Sequence, residues 1–300
     1  MKVIVAVVLY PSKLFDNFLD DCLTSIFAQS YKDFTLALFC DGISESAIQK
    51  KLEQMNYTQP IIFYSQPLGQ TTPSAIRDFI IKSSIQQNFD YLCFVDFDEK
   101  IDSNRIEMTL KNMHSYDFSY CNARITDSAL NNKIANIHQA KNIPATTNNH
   151  LEILDKNFIG LGAITLNLRQ TKLYDFRLPS NIIVFDWFLA THMLLQGASG
   201  VAISNTFTNY RQHPESFVGA NHYLDQHSLD LGIRVKKNHY QHFREFHPAY
   251  QNKYHQIIEL EKFLRYNSEK YIHIINSHFD PQPMWWWENI KTLEEIKEWI

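Results

Sequence analysis

Over the first third of the chain, short unbroken apolar runs alternate with longer stretches whose apolar residues return every three or four positions. Val3–Leu9 is a β-branched apolar run, Tyr10, Pro11 and Ser12 punctuate it, and Leu14, Phe15, Phe18, Leu19, Cys22, Leu23, Ile26 and Phe27 follow at helical spacing. This predicts strand, turn and amphipathic helix. The rhythm repeats. Phe34–Phe39 is a second strand ending in Cys40, Asp41 and Gly42, a polar helix carrying Ile48 and Leu52 follows, and Ile61–Tyr64 is a third strand. Pro67–Pro73 predicts a loop, Ser74–Ile85 a helix bearing Arg77, and Tyr91 opens a fourth strand. Apolar runs without polar alternation suit strands covered on both faces. Four of them interleaved with helices predict an α/β fold with a mostly parallel, doubly wound sheet.

Beyond Ile101 the pattern changes. Ser103–Met113 reads as helix, Phe118–Ile125 as strand, and Thr126–Asn149 as a long, polar, Asn-rich loop. Phe158–Leu168, FIGLGAITLNL, resumes strand character, and Val184–Gln196 is an amphipathic helix with Asp186 at its head and Gly197 at its end. Val201–Ile203 is a short strand, and Asn209–Gly219, NYRQHPESFVG, a loop rich in polar chemistry. From Tyr223 on the periodicity predicts helices, among them Tyr254–Tyr266 and a terminal one over Trp285–Ile300. The expected organisation is one α/β domain over residues 1–220 and a helical C-terminal extension over 221–300.

The segment that carries chemistry is Tyr91–Ile101, YLCFVDFDEKI, where an apolar strand breaks into Asp96, Phe97, Asp98 and Glu99. Open α/β sheets bind ligands at the carboxyl ends of their strands, which puts these acids at a site mouth. Residues two apart on an extended chain point the same way, so Asp96 and Asp98 share a side while Phe97 turns into the fold. Two carboxylates so placed form a clamp for a hard cation, Mg²⁺ or Mn²⁺, which binds through one or two carboxylates plus the phosphates of a substrate. The same pair also suits a solvated acidic turn, and the pattern alone does not choose between them.

Composition removes some classes. The chain has 300 residues, 45% of them hydrophobic, enough for a sizeable core. A net charge of −4 and the lack of any Lys/Arg-rich run argue against nucleic acid as a partner. Cys22, Cys40, Cys93 and Cys121 show no zinc-like or Cys-x-x-Cys spacing and mostly sit in apolar surroundings, as reduced core residues of a cytoplasmic protein do. Lys2 with Val3–Leu9 imitates a signal peptide, but the run is short and no small-residue cleavage site follows it. No apolar run approaches the ~20 residues of a membrane span.

Several segments, in order, resemble the family 2 glycosyltransferases, inverting enzymes of the GT-A nucleotide-diphospho-sugar transferase fold. The longest is Cys22–Glu45, CLTSIFAQSYKDFTLALFCDGISE; Arg77 in SAIRD, VDFDEKI, FDWFLATHMLLQG and YRQHPESFVG follow, the last similar to the tail of rhamnosyltransferase-type members. Together they span about the first 220 residues. The resemblance implies a transferase that moves a sugar from a UDP-, GDP- or dTDP-linked donor to a saccharide or lipid-linked hydroxyl with inversion, assisted by Mn²⁺ or Mg²⁺. It also implies a setting in bacterial surface polysaccharide or lipopolysaccharide assembly, on the cytoplasmic side of the membrane.

By the same resemblance, Asp41 contacts the base or ribose, Arg77 the diphosphate or nucleotide ring, and Asp96 the donor ribose or sugar. Asp98 and His213 hold the metal, Arg211 is a phosphate partner, and Asp186 is the general base. Each has a plainer alternative. Asp41-Gly42 is a turn signal, Arg77 suits a surface ion pair with Asp78, His213 an exposed loop, and Asp186 a helix cap. Glu99, Asp102 and His192 gain no role. Two positions depart from the family pattern: Cys40 stands where an acid precedes Asp41, and Phe185 where Glu precedes Asp186. Two other functions stand beside this one. A sugar nucleotidyltransferase would carry a Gly-rich, Arg-containing loop after the first strand, where this chain has LYPSKLF; a non-catalytic nucleotide- or carbohydrate-binding module would tolerate both departures.

At the end of the chain, Trp285, Trp286 and Trp287 cannot share one helix face. Part of the trio is therefore expected to meet another part of the chain, a second copy of it or a membrane surface. Four Glu against two Lys between Trp287 and Trp299 disfavour an anionic bilayer.

Overall fold

The computed structural model describes residues 1–66, 71–170, 173, 176–213, 223–280 and 285–300. The chain divides into two units by its internal contacts, Met1–Asn148, Ile159–Leu178 and Gln196–Glu215 forming the first, and Asn149–Phe158, Pro179–Leu195 and Ser216–Ile300 the second. The second unit therefore holds residues 221–300 together with two segments from earlier in the chain, where a single cut at 220 was expected.

The elements run β1 (Val3–Leu9), α1 (Phe15–Phe27), β2 (Phe34–Asp41), α2 (Glu45–Gln54), β3 (Ile61–Gln66), α3 (Pro73–Gln86), β4 (Tyr91–Asp96), β5 (Lys100–Ile101), α4 (Arg105–Asn112), β6 (Phe118–Thr126), β7 (Asn132–Ile134), α5 (Ile137–Ala140), β8 (Thr146–Thr147), β9 (Ile164–Asn167), α6 (Phe185–Leu195), β10 (Gly200–Arg211), α7 (Gln226–Phe243) and α8 (Pro248–Ser277). All strands belong to the first unit and form one sheet in the order β3-β2-β1-β4-β9-β6-β10-β5, with β7 on β6 and β8 on β10. The β3, β2, β1 and β4 strands are parallel, as are β6 and β10, while β9 runs against both β4 and β6. All seven residues of β1 are buried, which is why its sequence is apolar without alternation. One core gathers Val3, Val5, Val7 and Leu9 of β1 with Phe18, Leu19, Cys22, Leu23 and Ile26 of α1.

This order locates the site. The chain winds outward from β1 through β2 to β3, then returns to place β4 on the other side of β1. The carboxyl ends of β1 and β4 are thus the switch point, where neighbouring connections leave in opposite directions and open a crevice. Asp96 is the last residue of β4, in register with Val8 of β1.

Four sequence expectations need correction. The strand predicted over Val201–Ile203 runs on to Arg211: a register shift between Ile203 and Phe207 leaves Ser204, Asn205 and Thr206 outside the ladder with β6, and pairing resumes from Phe207 to Arg211, into the predicted loop. Of that expected loop, residues 214–219 lie outside the described residues, as do 67–70 of the loop before α3. Only Ile164–Asn167 of Phe158–Leu168 is strand, because Leu161–Ala163 forms a 3-10 turn flanked by glycine. The polar stretch Thr126–Asn149 holds β7, α5 and β8, pairing at the rim of the sheet. The terminal segment Trp285–Ile300 is a 3-10 turn over Trp286–Asn289 followed by further turns, not an α-helix.

That last difference answers the tryptophan problem. The tail's non-α backbone frees the trio from the one-face limit of a helix, and all three are buried. Within the second unit, Trp287 stacks on Trp187 of α6 at 4.4 Å, and Trp187 lies flat on His239 of α7 at 3.4 Å. Trp285 Nε1 donates to the Asn157 carbonyl at 2.8 Å, and Gly232 leaves space on α7 for Trp286 and Ile290. Asp155 gathers Lys253 at 2.7 Å and the Tyr240 hydroxyl at 2.6 Å, while buried Lys236 donates to the Ile290 carbonyl at 2.7 Å. Among the described residues no helix is long and apolar enough to cross a membrane.

Two outcomes follow from this packing. Trp287→Ala, which empties a fully buried aromatic site, should cost about 3–5 kcal/mol in denaturant unfolding, whereas Trp299→Ala, partly exposed and stacked only on His278, should cost under about 1 kcal/mol. Burial, with a smaller push from His242, holds the His239 imidazole well below its ordinary pKa. Its neutral form is the one that fits, so the stability it gives is fully present above about pH 6.5 and is lost as pH falls below that value. Unfolding midpoints at pH 7.5 and 5.5 should differ less in His239→Gln than in wild type, by up to about 1.4 kcal/mol per pH unit.

Candidate functional site

β4 delivers Asp96 to its carboxyl end, and a tight turn follows in which the Glu99 N–H donates to the Asp96 carbonyl at 3.0 Å. Phe97 is fully buried, with Tyr10 edge-on at 4.6 Å, so Asp96 and Asp98 flank a residue locked into the core. Ser25 on the buried face of α1 and Gln29 just past its C-cap hold the residues that follow the turn. Ser25 Oγ accepts from the Ile101 N–H at 3.2 Å, and Gln29 Nε2 donates to the Ser25 and Asp102 carbonyls at 3.0 and 2.8 Å. The Gln29 side-chain carbonyl accepts from the Ile106 N–H at 3.0 Å, tying the start of α4 to the same point. The Cys22 thiol reaches the Asp96 carbonyl at 3.7 Å. Gln29 is completely buried, and these three bonds spend most of its hydrogen-bonding capacity on tying the end of α1 to Asp102 and the start of α4.

The acids have distinct partners. Arg77 rises from α3, whose start is fixed by Thr72 accepting from the Ala75 N–H and by Pro73 in the first turn. Its guanidinium meets Asp96 Oδ1 at 3.1 Å and the Pro73 carbonyl at 3.1 Å, while Asp78, the alternative partner expected from the sequence, pairs with Lys82. Burial raises the Asp96 pKa, Arg77 opposes that, and Asp98 adds to it. Asp98 Oδ2 lies 2.9 Å from His213 Nε2, and the histidine is buried rather than the exposed loop residue of the plainer reading. Arg211, two residues earlier, is engaged by Asp21 of α1 at 2.6 Å. Asp41 ends β2, accepts from Gln66 Nε2 at 3.2 Å, and precedes Gly42, whose φ of 72° makes the turn that Asp-Gly signalled.

Glu99 was given no role by the sequence, yet it is buried beside both aspartates. Burial first, then Asp96 and Asp98, push its pKa well above the ordinary carboxylate range, against the pull of Arg105. Glu99 fits only because residue 162 is glycine: a Cβ there would stand 1.9 Å from Glu99 Oε2. That oxygen has no hydrogen-bond partner among the described residues, and neither does Nη1 of buried Arg105, whose Nη2 donates to the Phe94 carbonyl. Asp102, also passed over, pairs with Arg124 at 2.8 Å. The signal available for Glu99 was its place in the same turn; that for Ser25 and Gln29 was a polar residue on the buried stripe of α1 and another just past its end.

These residues fit a hard divalent cation. Two adjacent ligands of an octahedral ion at ~2.0–2.1 Å stand roughly 2.9 Å apart, the separation of Asp98 Oδ2 and His213 Nε2. The turn around them carries an excess of carboxylate over guanidinium and an orphaned buried oxygen on Glu99. Among the described residues no group of three or more His, Cys, Asp or Glu is placed to hold a metal. The protein thus offers a pair, and the remaining positions suit water and the phosphates of a ligand.

Asp186 lies in the second unit, in the first turn of α6, where its carboxylate accepts from the Trp187 N–H at 3.0 Å. Phe185, standing where the family has Glu, is buried in that unit's core. Cys40 is buried with its thiol pushed up to about 11, chiefly by burial, so it is uncharged at neutral pH and does not replace the missing acid beside Asp41.

No family model matches the chain, and no curated protein matches it by sequence. Solved structures do. S. aureus TarS 1-349 in complex with UDP-GlcNAc superposes with a TM-score of 0.59 at 14% identity, covering 81% of this chain and 67% of that one. Another structure of TarS 1-349 gives 0.60 at 13%, covering 91% and 78%. The mannosyltransferase PcManGT from Pyrobaculum calidifontis in complex with GDP-Man and Mn²⁺ gives 0.53 at 11%, covering 91% and 70%. The chain is therefore a mixed α/β protein with the GT-A arrangement of its mostly parallel sheet, the fold that the sequence predicted.

Proposed function

We propose that the protein is an inverting glycosyltransferase that moves a sugar from a nucleotide-diphosphate donor to a hydroxyl acceptor with the help of Mn²⁺ or Mg²⁺. The observation that carries this reading is the Asp98–His213 pair, 2.9 Å apart at the switch point of a fold shared with TarS and PcManGT, whose structures hold UDP-GlcNAc and GDP-Man. Residues 1–220 supply the donor site and residues 221–300 extend the part that carries Asp186. The rhamnosyltransferase-like tail motif and the setting in bacterial surface polysaccharide assembly, at the cytoplasmic face of the membrane, belong to the same proposal. A saccharide or lipid-linked hydroxyl is the acceptor.

Asp98 and His213 hold the metal. When bound, it offsets the charge that grows on the leaving nucleotide diphosphate. Arg77 holds Asp96 in place at the ribose or donor sugar and presents a permanent cation beside the phosphates. Asp41, the single acid at the end of β2, takes the base or ribose. Asp186 takes the proton of the acceptor hydroxyl as that oxygen attacks the anomeric carbon opposite the phosphate, an assignment that rests on its place at the head of α6. A nucleotidyltransferase is the weaker reading because the segment after β1 is LYPSKLF, without the glycines that cradle a triphosphate.

Nucleotide diphosphate binding should require the metal, because the turn's carboxylates otherwise repel the phosphates. Calorimetry with UDP, GDP and dTDP, with and without Mn²⁺, should show metal-dependent affinity for at least one nucleotide in wild type and its loss in Asp98→Ala; equal affinities throughout would remove the clamp. Asp186→Asn keeps the contact with the first turn but not the basicity, since Asn caps about as well as Asp. Donor binding should survive while transfer falls by ~10²–10⁴-fold. Turnover within a few-fold of wild type would sink the base assignment, and metal-dependent binding with no transfer to any acceptor would favour a binding module.

A further inference from the structure

Arg211 closes β10, its backbone paired with Thr126, and the Gln212 N–H continues the ladder to the Thr126 carbonyl at 2.9 Å. Residues 211 and 213 therefore leave the sheet with an extended spacing that puts both side chains on one side. Both meet the same ring. The Arg211 guanidinium lies over Phe18 of α1 at 4.4 Å, and the His213 imidazole is 5.0 Å from it. One turn along α1, Asp21 takes Arg211 Nη2 at 2.6 Å. The Arg211 side chain is 1% exposed, whereas Asp21 is 39% exposed. A guanidinium spent on a buried aromatic stack and a short carboxylate pair is not presented to a ligand. Turning it outward would break a charge-assisted bond and strip Phe18 of its cover.

We propose that Arg211 is a positioning residue, clamped by Asp21 and Phe18, that sets His213 against Asp98, and that it is not a ligand of the donor phosphates. Asp21 is then part of the metal site although it touches no ligand. Helix α1 and the residue just past its C-cap carry both sides of the device: Ser25 and Gln29 hold Ile101, Asp102 and Ile106, which follow the turn that bears Asp98, and Phe18 and Asp21 hold the strand end that bears His213. The 2.9 Å contact of the pair is thus flanked on both sides by groups anchored on α1 or just past its end.

The inference rests on the reading of Asp98 and His213 as metal ligands, and its test separates the two. Wild type, Asp21→Asn, Asp21→Glu and Arg211→Lys are compared in three measurements: Mn²⁺ affinity by electron paramagnetic resonance with UDP or GDP present, UDP and GDP affinity without metal, and imidazole NMR of the metal-free proteins. The His213 signals are identified by their loss in His213→Gln. Asp21→Asn should weaken Mn²⁺ binding 10–100-fold, the usual effect of removing a group that orients a metal ligand, and shift the His213 signals while metal-free nucleotide affinity stays at the wild-type level. Asp21→Glu should recover most of the loss, and Arg211→Lys, which keeps the charge but not the planar stack, should behave like Asp21→Asn. Unchanged Mn²⁺ affinity with unmoved His213 signals in both Asp21→Asn and Arg211→Lys would overturn the clamp. So would a rise in metal-free nucleotide affinity in Asp21→Asn, which would mean that the released guanidinium reaches phosphate. If wild type binds no Mn²⁺ with either nucleotide, the metal reading fails, and a His213 shift in Asp21→Asn still decides whether Arg211 positions it.

Discussion

Three carboxylates in four consecutive residues, Asp96, Asp98 and Glu99, are held at the end of one buried strand, and much of the first unit is arranged to tolerate them. Like charges in a partly dry turn repel, and burial disfavours the ionised forms of Asp96 and Glu99. The structure answers with one guanidinium on each flank: Arg77 on Asp96 from α3, and Arg105 acting on Glu99 from beneath the turn. The balance is incomplete. Asp98 faces an imidazole instead of a permanent cation, and Glu99 keeps an oxygen without a partner among the described residues. This turn, short of permanent positive charge, sits at the sheet's switch point.

Helix α1 converts that electrostatic problem into a fixed geometry. Its apolar stripe covers β1, while buried Ser25 within it and buried Gln29 just past its C-cap use their hydrogen bonds on the backbone of Ile101, Asp102 and Ile106. Buried polar groups of this kind are costly unless satisfied, and Gln29 is satisfied at both ends of its amide. The price is a helix that tolerates little change on that face. Glycine at 162 completes the fit from the other side by yielding the volume that Glu99 fills.

Much of this was legible in the sequence. The first four strands, their helices, the acidic turn, and the closing role of Gly197, whose φ is 79°, follow from periodicity and punctuation. Ser25 and Gln29 lie inside the Cys22–Glu45 stretch, but no spacing rule says what a buried glutamine holds; its partners, Asp102 and Ile106, are over seventy residues away in sequence. The length of β10 was missed because the polar pair Ser204 and Asn205 marks a bulge and not an end. The resemblance implied Arg211 as a phosphate partner, and nothing local announces that Asp21 lies beside it, 190 residues earlier. Local rules read elements well and non-local ion pairs poorly.

The tryptophan tail shows the same limit from the opposite direction. Three adjacent aromatic residues break every rule for a surface helix, and a membrane or a partner was a reasonable way to cover them. The chain instead abandons the helix: with extended geometry at Trp285 and a 3-10 turn from Trp286, successive side chains diverge enough for each to find its own buried site. Trp187 receives Trp287 on one stack and His239 on another, and it is the residue after Asp186. The end of the chain is therefore part of what fixes the first turn of α6 within its unit. A C-terminal segment that the sequence offered no function has a structural one, and any role of Asp186 in proton transfer depends on that packing being intact.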